Sequence, residues 1–117
     1  MKTETIEARC EAIIRDGGLT FSPVRPAPVG GYMVSVAGSE RMIPLSVFGP
    51  EMLAAYVADY SDRAMGEGFF FGAWVDGGFV YLDLSVNLRD RSEAEVMGRL
   101  ESQLAIYDVA NGSVISL

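Results

Sequence analysis

Hydrophobic and polar residues alternate most regularly in two adjacent segments, Phe69–Val75 and Gly78–Leu84, which flank Asp76-Gly77. Alternation with a period of two is typical of half-buried strands, and Asp-Gly suits the positive φ angles of a two-residue type I′ turn. The pattern therefore predicts a β-hairpin, and the two-residue loop places Trp74 opposite Phe79.

The predicted hairpin has two different faces. One face carries only apolar residues and must be buried: Phe69, Phe71, Ala73, Val80, Leu82 and Leu84. The other face has an aromatic side chain in every cross-strand pair: Phe70 with Asp83, Gly72 with Tyr81, and Trp74 with Phe79. These aromatic residues belong to the core if helices cover both faces of the sheet. They form an exposed patch of the kind that binds partners if one face is open.

Three other segments repeat apolar residues every three or four positions, which predicts amphipathic helices. The first helix covers residues 3–16 and stops at Gly17-Gly18, and its apolar stripe contains Ile6, Cys10, Ile13 and Ile14. This stripe makes Cys10 a small buried hydrophobic residue rather than a reactive thiol.

The second helix starts at Pro50, a residue favoured in the first helical position, and its apolar stripe contains Leu53, Tyr56, Val57, Tyr60 and Ala64. The third helix starts at Asp90, which resembles a capping box together with Glu93. Its apolar stripe contains Val96, Met97, Leu100 and Leu104.

Short apolar runs predict further strands between the first two helices. Leu19–Val24 is one such run, and Tyr32–Val36 is the next. A turn at Gly38-Ser39-Glu40 then leads into Arg41–Leu45, which we expect to return as the partner of Tyr32–Val36. Pro44 lacks a backbone donor, so it confines this return strand to an edge of the sheet or shortens it.

The chain closes with another hairpin signal, Asn111-Gly112 between Ala105–Val109 and Ser113–Leu117. The elements therefore follow the order α-β-β-β-α-β-β-α-β-β. We predict one α+β domain over residues 1–117, with a largely antiparallel sheet of six or seven strands. Three helices cover about one face of such a sheet, because helices pack about 10 Å apart and strands less than 5 Å apart. Loops, the proline-rich crossing at Ser22–Gly30 or a second molecule must then shield the other face.

Composition excludes several kinds of chemistry. The 117 residues include no histidine and one cysteine, Cys10, which rules out intrachain disulfides, Cys/His zinc sites and histidine-based catalytic triads. The chain has neither a glycine-rich phosphate loop nor a nucleophile elbow. We therefore predict no catalytic, cofactor-binding or metal-binding residues and no cofactor.

The charge and the hydrophobic runs narrow the choice of partners. Sixteen acidic and nine basic residues give a formal charge of −7, which disfavours binding to a phosphate backbone. No apolar run approaches the roughly 20 residues of a membrane span, and the first helix is charged, without the apolar segment of a signal peptide. We expect a cytoplasmic protein that binds neither nucleic acid nor membrane.

Asp83 is the one carboxylate set within a hydrophobic strand. A buried carboxylate must find a hydrogen-bond donor or stay protonated, and Arg41 or Arg89 could supply an ion pair. The alternatives are a catalytic acid with a raised pKa and a simple edge position that faces water. The ion pair is the interpretation we adopt from the sequence.

Several segments carry a resemblance to a known family: Gly31–Gly38 (GYMVSVAG), Arg41 with Ile43-Pro44, Gly72–Trp74 (GAW), Val80–Ser85 (VYLDLS), Asp90-Arg91, Gly98 and Gln103–Val109 (QLAIYDV). In these segments the chain resembles small proteins carried by actinobacteria and by their bacteriophages or integrated elements. Members of that family have no established activity or functional residues. The resemblance therefore implies a mobile-element context and assigns no site.

These observations favour a non-enzymatic accessory protein of a phage or mobile element that binds another protein or itself, as a homo-oligomer. We expect its interaction surface to include part of the set Phe70, Trp74, Phe79 and Tyr81. One alternative is an acidic decoy that inhibits a nucleic-acid enzyme of the host. Another is an enzyme with a carboxylate-based site.

Overall fold

The computed structural model describes residues 5–117. Residues 3 and 4 of the predicted first helix lie outside this range. The helices are α1 (Ile6–Asp16), α2 (Pro50–Ala64) and α3 (Arg91–Leu100). The strands are β1 (Gly18–Phe21), β2 (Tyr32–Ser35), β3 (Arg41–Pro44), β4 (Phe69–Asp76), β5 (Phe79–Leu88), β6 (Ala105–Asp108) and β7 (Ser113–Ser116). This order confirms the predicted α+β class.

All seven strands belong to one antiparallel sheet in the order β1-β4-β5-β2-β6-β7, with β3 also paired to β5. The long β5 is the centre of this arrangement, since it pairs with β4 on one side and with β2 and β3 on the other. Within residues 5–117, no helix is long and apolar enough to cross a membrane.

Local signals in the sequence explain where two of the helices begin and end. The Thr5 hydroxyl accepts a hydrogen bond from the amide of Ala8 and caps α1. Gly17 ends α1 with a φ of +80°, a left-handed conformation that glycine adopts without a steric penalty. The Asp90 carboxylate caps α3 by accepting a hydrogen bond from the amide of Glu93, so the predicted start of α3 is correct.

The predicted register of the β4–β5 hairpin is wrong by two residues. Gly77 and Gly78 form the loop with φ angles of +57° and +84°, so Asp76 pairs with Phe79 and Trp74 pairs with Tyr81. A type I′ turn needs positive φ at both loop positions, and two glycines meet this need better than Asp76-Gly77. A shift of two residues keeps every side chain on its predicted face.

The hairpin predicted between Tyr32–Val36 and Arg41–Leu45 does not form. β2 pairs with Ser85–Leu88 and β3 with Phe79–Leu82, so the two strands lie in line along the same side of β5. The buried Ser39 bridges the gap, because its hydroxyl accepts a hydrogen bond from the amide of Leu84 and donates one to the Val36 carbonyl. Pro44 does end an edge strand, as predicted, since β3 pairs with β5 alone.

All three helices pack on one face of the sheet, which we call the helix face. Its larger cluster joins α1 and α2 to the apolar side of the hairpin. Buried members include Cys10, Ile13, Leu53, Tyr56, Phe71, Val80, Leu82 and Leu84. The apolar face predicted for the hairpin and most of the stripes predicted for the first two helices are therefore correct, although Ile14 is exposed.

The stripe predicted for α3 is correct only at Met97, which packs against the cluster of Val34, Ala94 and Ile106. Val96, Leu100 and Leu104 are exposed, and α3 instead contacts the sheet through Ala94 and Gly98. A Cβ atom at Gly98 would press against the side chains of Ile106 and Leu117. The helix therefore approaches the sheet on its small residues, which brings the backbones close together and leaves Val96 and Leu100 outside the contact.

Candidate interaction site on the open face of the sheet

The side of the sheet opposite the helices, which we call the open face, carries the remaining alternate residues of the central strands. In β4 and β5 these residues are Phe70, Gly72, Trp74, Asp76, Phe79, Tyr81, Asp83, Ser85 and Asn87. A groove of about 840 Å³ lies on this face and spans the sheet from Trp74 to Tyr107 and Val114. Its size and its mixture of apolar and polar lining are typical of a binding site.

Trp74 and Tyr81 form one wall of the groove. Trp74 is 51% exposed, and its ring lies 5.7 Å from that of Tyr81 between centroids, at 57°. The ring of Phe79 continues the series, 6.4 Å from Tyr81. Three of the four predicted interaction residues therefore lie together on the open face, with Trp74 the most exposed of them.

Phe70, the fourth predicted residue, is separate from this patch. It is buried, and the guanidinium of Arg25 lies 5.8 Å from its ring centroid. Arg25 also donates hydrogen bonds to three carbonyls at the end of α2 and the start of β4: Ala64, Met65 and Phe69. Through Arg25, the proline-rich segment Ser22–Gly30 is bound to the end of α2 and the start of β4. It covers Phe70 on the open face.

Asp83 lies in the groove without the predicted arginine. Its two carboxylate oxygens accept hydrogen bonds from the hydroxyls of Ser35 at 2.7 Å and Ser85 at 3.1 Å. Burial raises the pKa of Asp83, and the two hydroxyl bonds oppose this rise. The predicted ion pair is wrong for both candidate arginines. Arg41 is opposite Leu82 on the helix face, where it contacts Asp59 at 2.7 Å, and Arg89 lies beyond the end of β5.

Gly72 makes room for the carboxylate of Asp83. The two residues are directly opposite each other in β4 and β5, and a Cβ atom at Gly72 would collide with a carboxylate oxygen of Asp83. The sequence prediction paired Gly72 with Tyr81 and so missed this relation. A glycine inside a strand and a single acidic residue in the neighbouring strand were the signals that could have revealed it.

Among residues 5–117, the charged residues that line the groove are all acidic: Asp16, Glu40 and Asp83. Asp16 contacts Arg15 at 3.0 Å, and this hydrogen bond lowers the pKa of Asp16. No arginine from the described range 5–117 lines the groove. Sequence reasoning missed the contributions of Ser35, Glu40 and Tyr107, because they come from strands and loops whose neighbours it did not identify.

Residues 5–117 contain no group of three or more Cys, Asp or Glu side chains arranged to hold a metal ion. Compared with models of protein families, with curated proteins and with solved structures, the chain matches none of them. The functional assignment therefore rests on the open face itself.

Proposed function

We propose that this protein has no catalytic activity and acts by binding another protein through the open face of its sheet. The observation that carries the proposal is the half-exposed Trp74 beside Tyr81, in the wall of a groove that no helix covers. Tryptophan and tyrosine are enriched at the energetic centres of protein interfaces. The resemblance described above favours an accessory role in a phage or integrated element, in the cytoplasm of the host.

The electrostatics of the groove favour a protein partner over nucleic acid. Nucleic-acid surfaces gain affinity when clustered basic side chains release counterions from phosphates. The lining of the groove instead carries the carboxylates of Asp16, Glu40 and Asp83. These negative groups would repel a phosphate backbone. Its aromatic rings are consequently a better match for the side chains of another protein.

A photo-crosslinking experiment tests this proposal. A photoreactive amino acid replaces Trp74 on the open face or, as a control, Val96 on α3, which is similarly exposed at 55%. We expect a discrete adduct from position 74 in cells that express the protein naturally, and none from position 96. The Tyr81→Asp substitution should remove the adduct. Identical products from both positions would contradict the proposal.

A carboxylate-based enzyme is the second candidate function, and Asp83 is the observation that favours it. A carboxyl group whose pKa is raised by burial in a groove is typical of catalytic acids. Turnover of any substrate that disappears in Asp83→Asn while the fold is retained would support this alternative.

The acidic decoy has less support. A decoy requires an uninterrupted negative surface, whereas three carboxylates within residues 5–117 are paired with arginines: Asp16 with Arg15, Asp59 with Arg41, and Glu95 with Arg91.

A further inference from the structure

We infer that the open-face groove receives an arginine side chain of the partner protein, held between the aromatic wall and the carboxylate of Asp83. This inference rests on the proposed protein-binding function and names the chemistry of the partner. Three features of the groove support an arginine: the hydrogen-bonding capacity of Asp83, the rings beside it, and the acidic charge of its lining.

The carboxylate of Asp83 can accept more hydrogen bonds than the two it receives. A carboxylate offers about four lone-pair positions, and the hydroxyls of Ser35 and Ser85 occupy one on each oxygen. Both hydroxyls thereby hold the carboxylate in a fixed orientation over Gly72, where a side chain would collide with it. Each oxygen keeps a position for a second donor, and a guanidinium supplies two parallel N–H groups that suit such a pair of oxygens.

The aromatic wall favours guanidinium over ammonium. The ring of Tyr81 and that of Trp74 border the same groove as Asp83. A planar guanidinium stacks on aromatic faces and is more weakly hydrated than an ammonium group, so it loses less when it leaves water. The groove thus combines the two features that arginine recognition uses, a bidentate acceptor and a ring surface.

The charge of the groove disfavours a second copy of this chain as the occupant. A twofold dimer brings the same patch of both subunits together. Asp83 and Glu40 of one copy would then approach the same carboxylates of the other, and no arginine from residues 5–117 lines the groove to separate them. A partner with a cationic side chain instead neutralises the site.

A binding titration with the whole protein tests the inference. The probe is N-acetyl-arginine N-methylamide, which carries a single guanidinium and no other charge. The control is the citrulline analogue, in which a neutral urea of the same shape replaces the guanidinium. Because Trp74 is the only tryptophan in the chain, its fluorescence reports directly on the groove. Backbone NMR shifts of Ser35 and Ser85 provide a second readout.

We expect the arginine probe to change both signals with an apparent affinity at least tenfold tighter than that of the citrulline analogue and tighter than that of the lysine analogue. Asp83→Asn should weaken arginine binding at least tenfold, whereas Asp62→Asn, which removes an exposed carboxylate from α2, should leave it unchanged. The comparison of probes uses the unaltered protein, so it decides the question even if Asp83→Asn does not fold.

Equal binding of the arginine and citrulline probes, or no saturable signal from either, would overturn the inference. Equal or tighter binding of the lysine analogue would overturn the assignment to arginine. A dimeric mass in light scattering that returns to the monomer in Trp74→Asp would identify a second copy as the occupant and also overturn it.

The two proposals fail in different ways. If the probes bind alike while crosslinking from position 74 persists, protein binding stands and arginine recognition is wrong. If the arginine probe binds selectively while position 74 gives no adduct, the guanidinium site stands and the protein-binding function is wrong.

Discussion

The two faces of the β4–β5 hairpin use alternate residues of the same two strands, yet different interactions hold them. On the helix face, Phe71, Leu82 and Leu84 are buried against two helices. On the open face, Trp74 is half exposed, and the carboxylate of Asp83 is held by hydrogen bonds from two serine hydroxyls. The helix face therefore supplies most of the stability, and the open face supplies binding capacity. Substitutions on the two faces should have separable effects.

The largest effect on stability is expected at Leu82, which is 1% exposed. Leu82→Ala should lower the free energy of unfolding by about 2–5 kcal/mol, because it removes buried apolar volume and leaves a cavity. Denaturant titration monitored by circular dichroism measures this change. A loss below about 0.5 kcal/mol would be the size expected of a surface substitution and would contradict the assignment of the helix face as the core.

A smaller loss of stability is expected at Ser39, which lies in the connection between β2 and β3. Ser39→Ala removes the acceptor for the buried amide of Leu84, and an unpaired buried donor costs about 1–3 kcal/mol. The exposed Ser46 is the matched control, and Ser46→Ala should change stability by less than about 0.5 kcal/mol. Equal stabilities of the two variants in denaturant titration would show that the hydroxyl bridge is unimportant.

On the open face, Asp83→Asn should raise the free energy of unfolding at pH 7 while it weakens binding of the arginine probe. Burial raises the pKa of Asp83 in the folded state above its ordinary value of 3.8. Ionisation of Asp83 therefore opposes folding. The stability cost is absent below the unfolded-state pKa, grows as the pH rises through the folded-state pKa, and is complete above it.

Thermal unfolding of the unaltered protein and of Asp83→Asn between pH 3 and pH 8 measures the difference in their stability. The stabilities should converge at the acidic end and separate toward neutral pH. A constant difference across the range, or a variant that is less stable at pH 7, would show that the carboxylate of Asp83 is not penalised in the folded state.

The smallest effect on stability is expected at Trp74. Trp74→Asp should change the free energy of unfolding by less than about 1 kcal/mol, because half of the side chain already faces water, and it should abolish partner binding. Val96→Asp on α3 is the control for an exposed apolar residue. Unfolding of Trp74→Asp under native conditions would place the aromatic wall in the core and remove the distinction between the faces.

Short-range patterns predicted the elements of this fold well. Alternation identified which residues of the hairpin share the helix face, and the caps at Gly17 and Asp90 marked helix ends correctly. These features depend on interactions within a few residues. They are therefore encoded locally, without knowledge of the distant parts of the chain.

Features that depend on a choice between two adjacent turn signals, or on distant neighbours, were predicted less well. The hairpin register changed because Gly77-Gly78 competes with Asp76-Gly77 for the same turn. The contact of α3 with the sheet was predicted only in part, because Met97 packs against the sheet while Val96 and Leu100 are exposed. The site shows the same limit, because the partners of Asp83 are Ser85 two residues away and Ser35, 48 positions distant on a strand that was assigned a different neighbour.

The central position of β5 has a consequence for the order in which the sheet forms during synthesis. β1 pairs with β4, while β2 and β3 pair with β5. The first three strands therefore leave the ribosome before their partners exist. The β4–β5 hairpin, joined by a two-residue loop, forms within about 1–10 μs once its residues are free. We expect β2 and β3 to remain unpaired until Leu88 has emerged, after which both strands add to the completed hairpin.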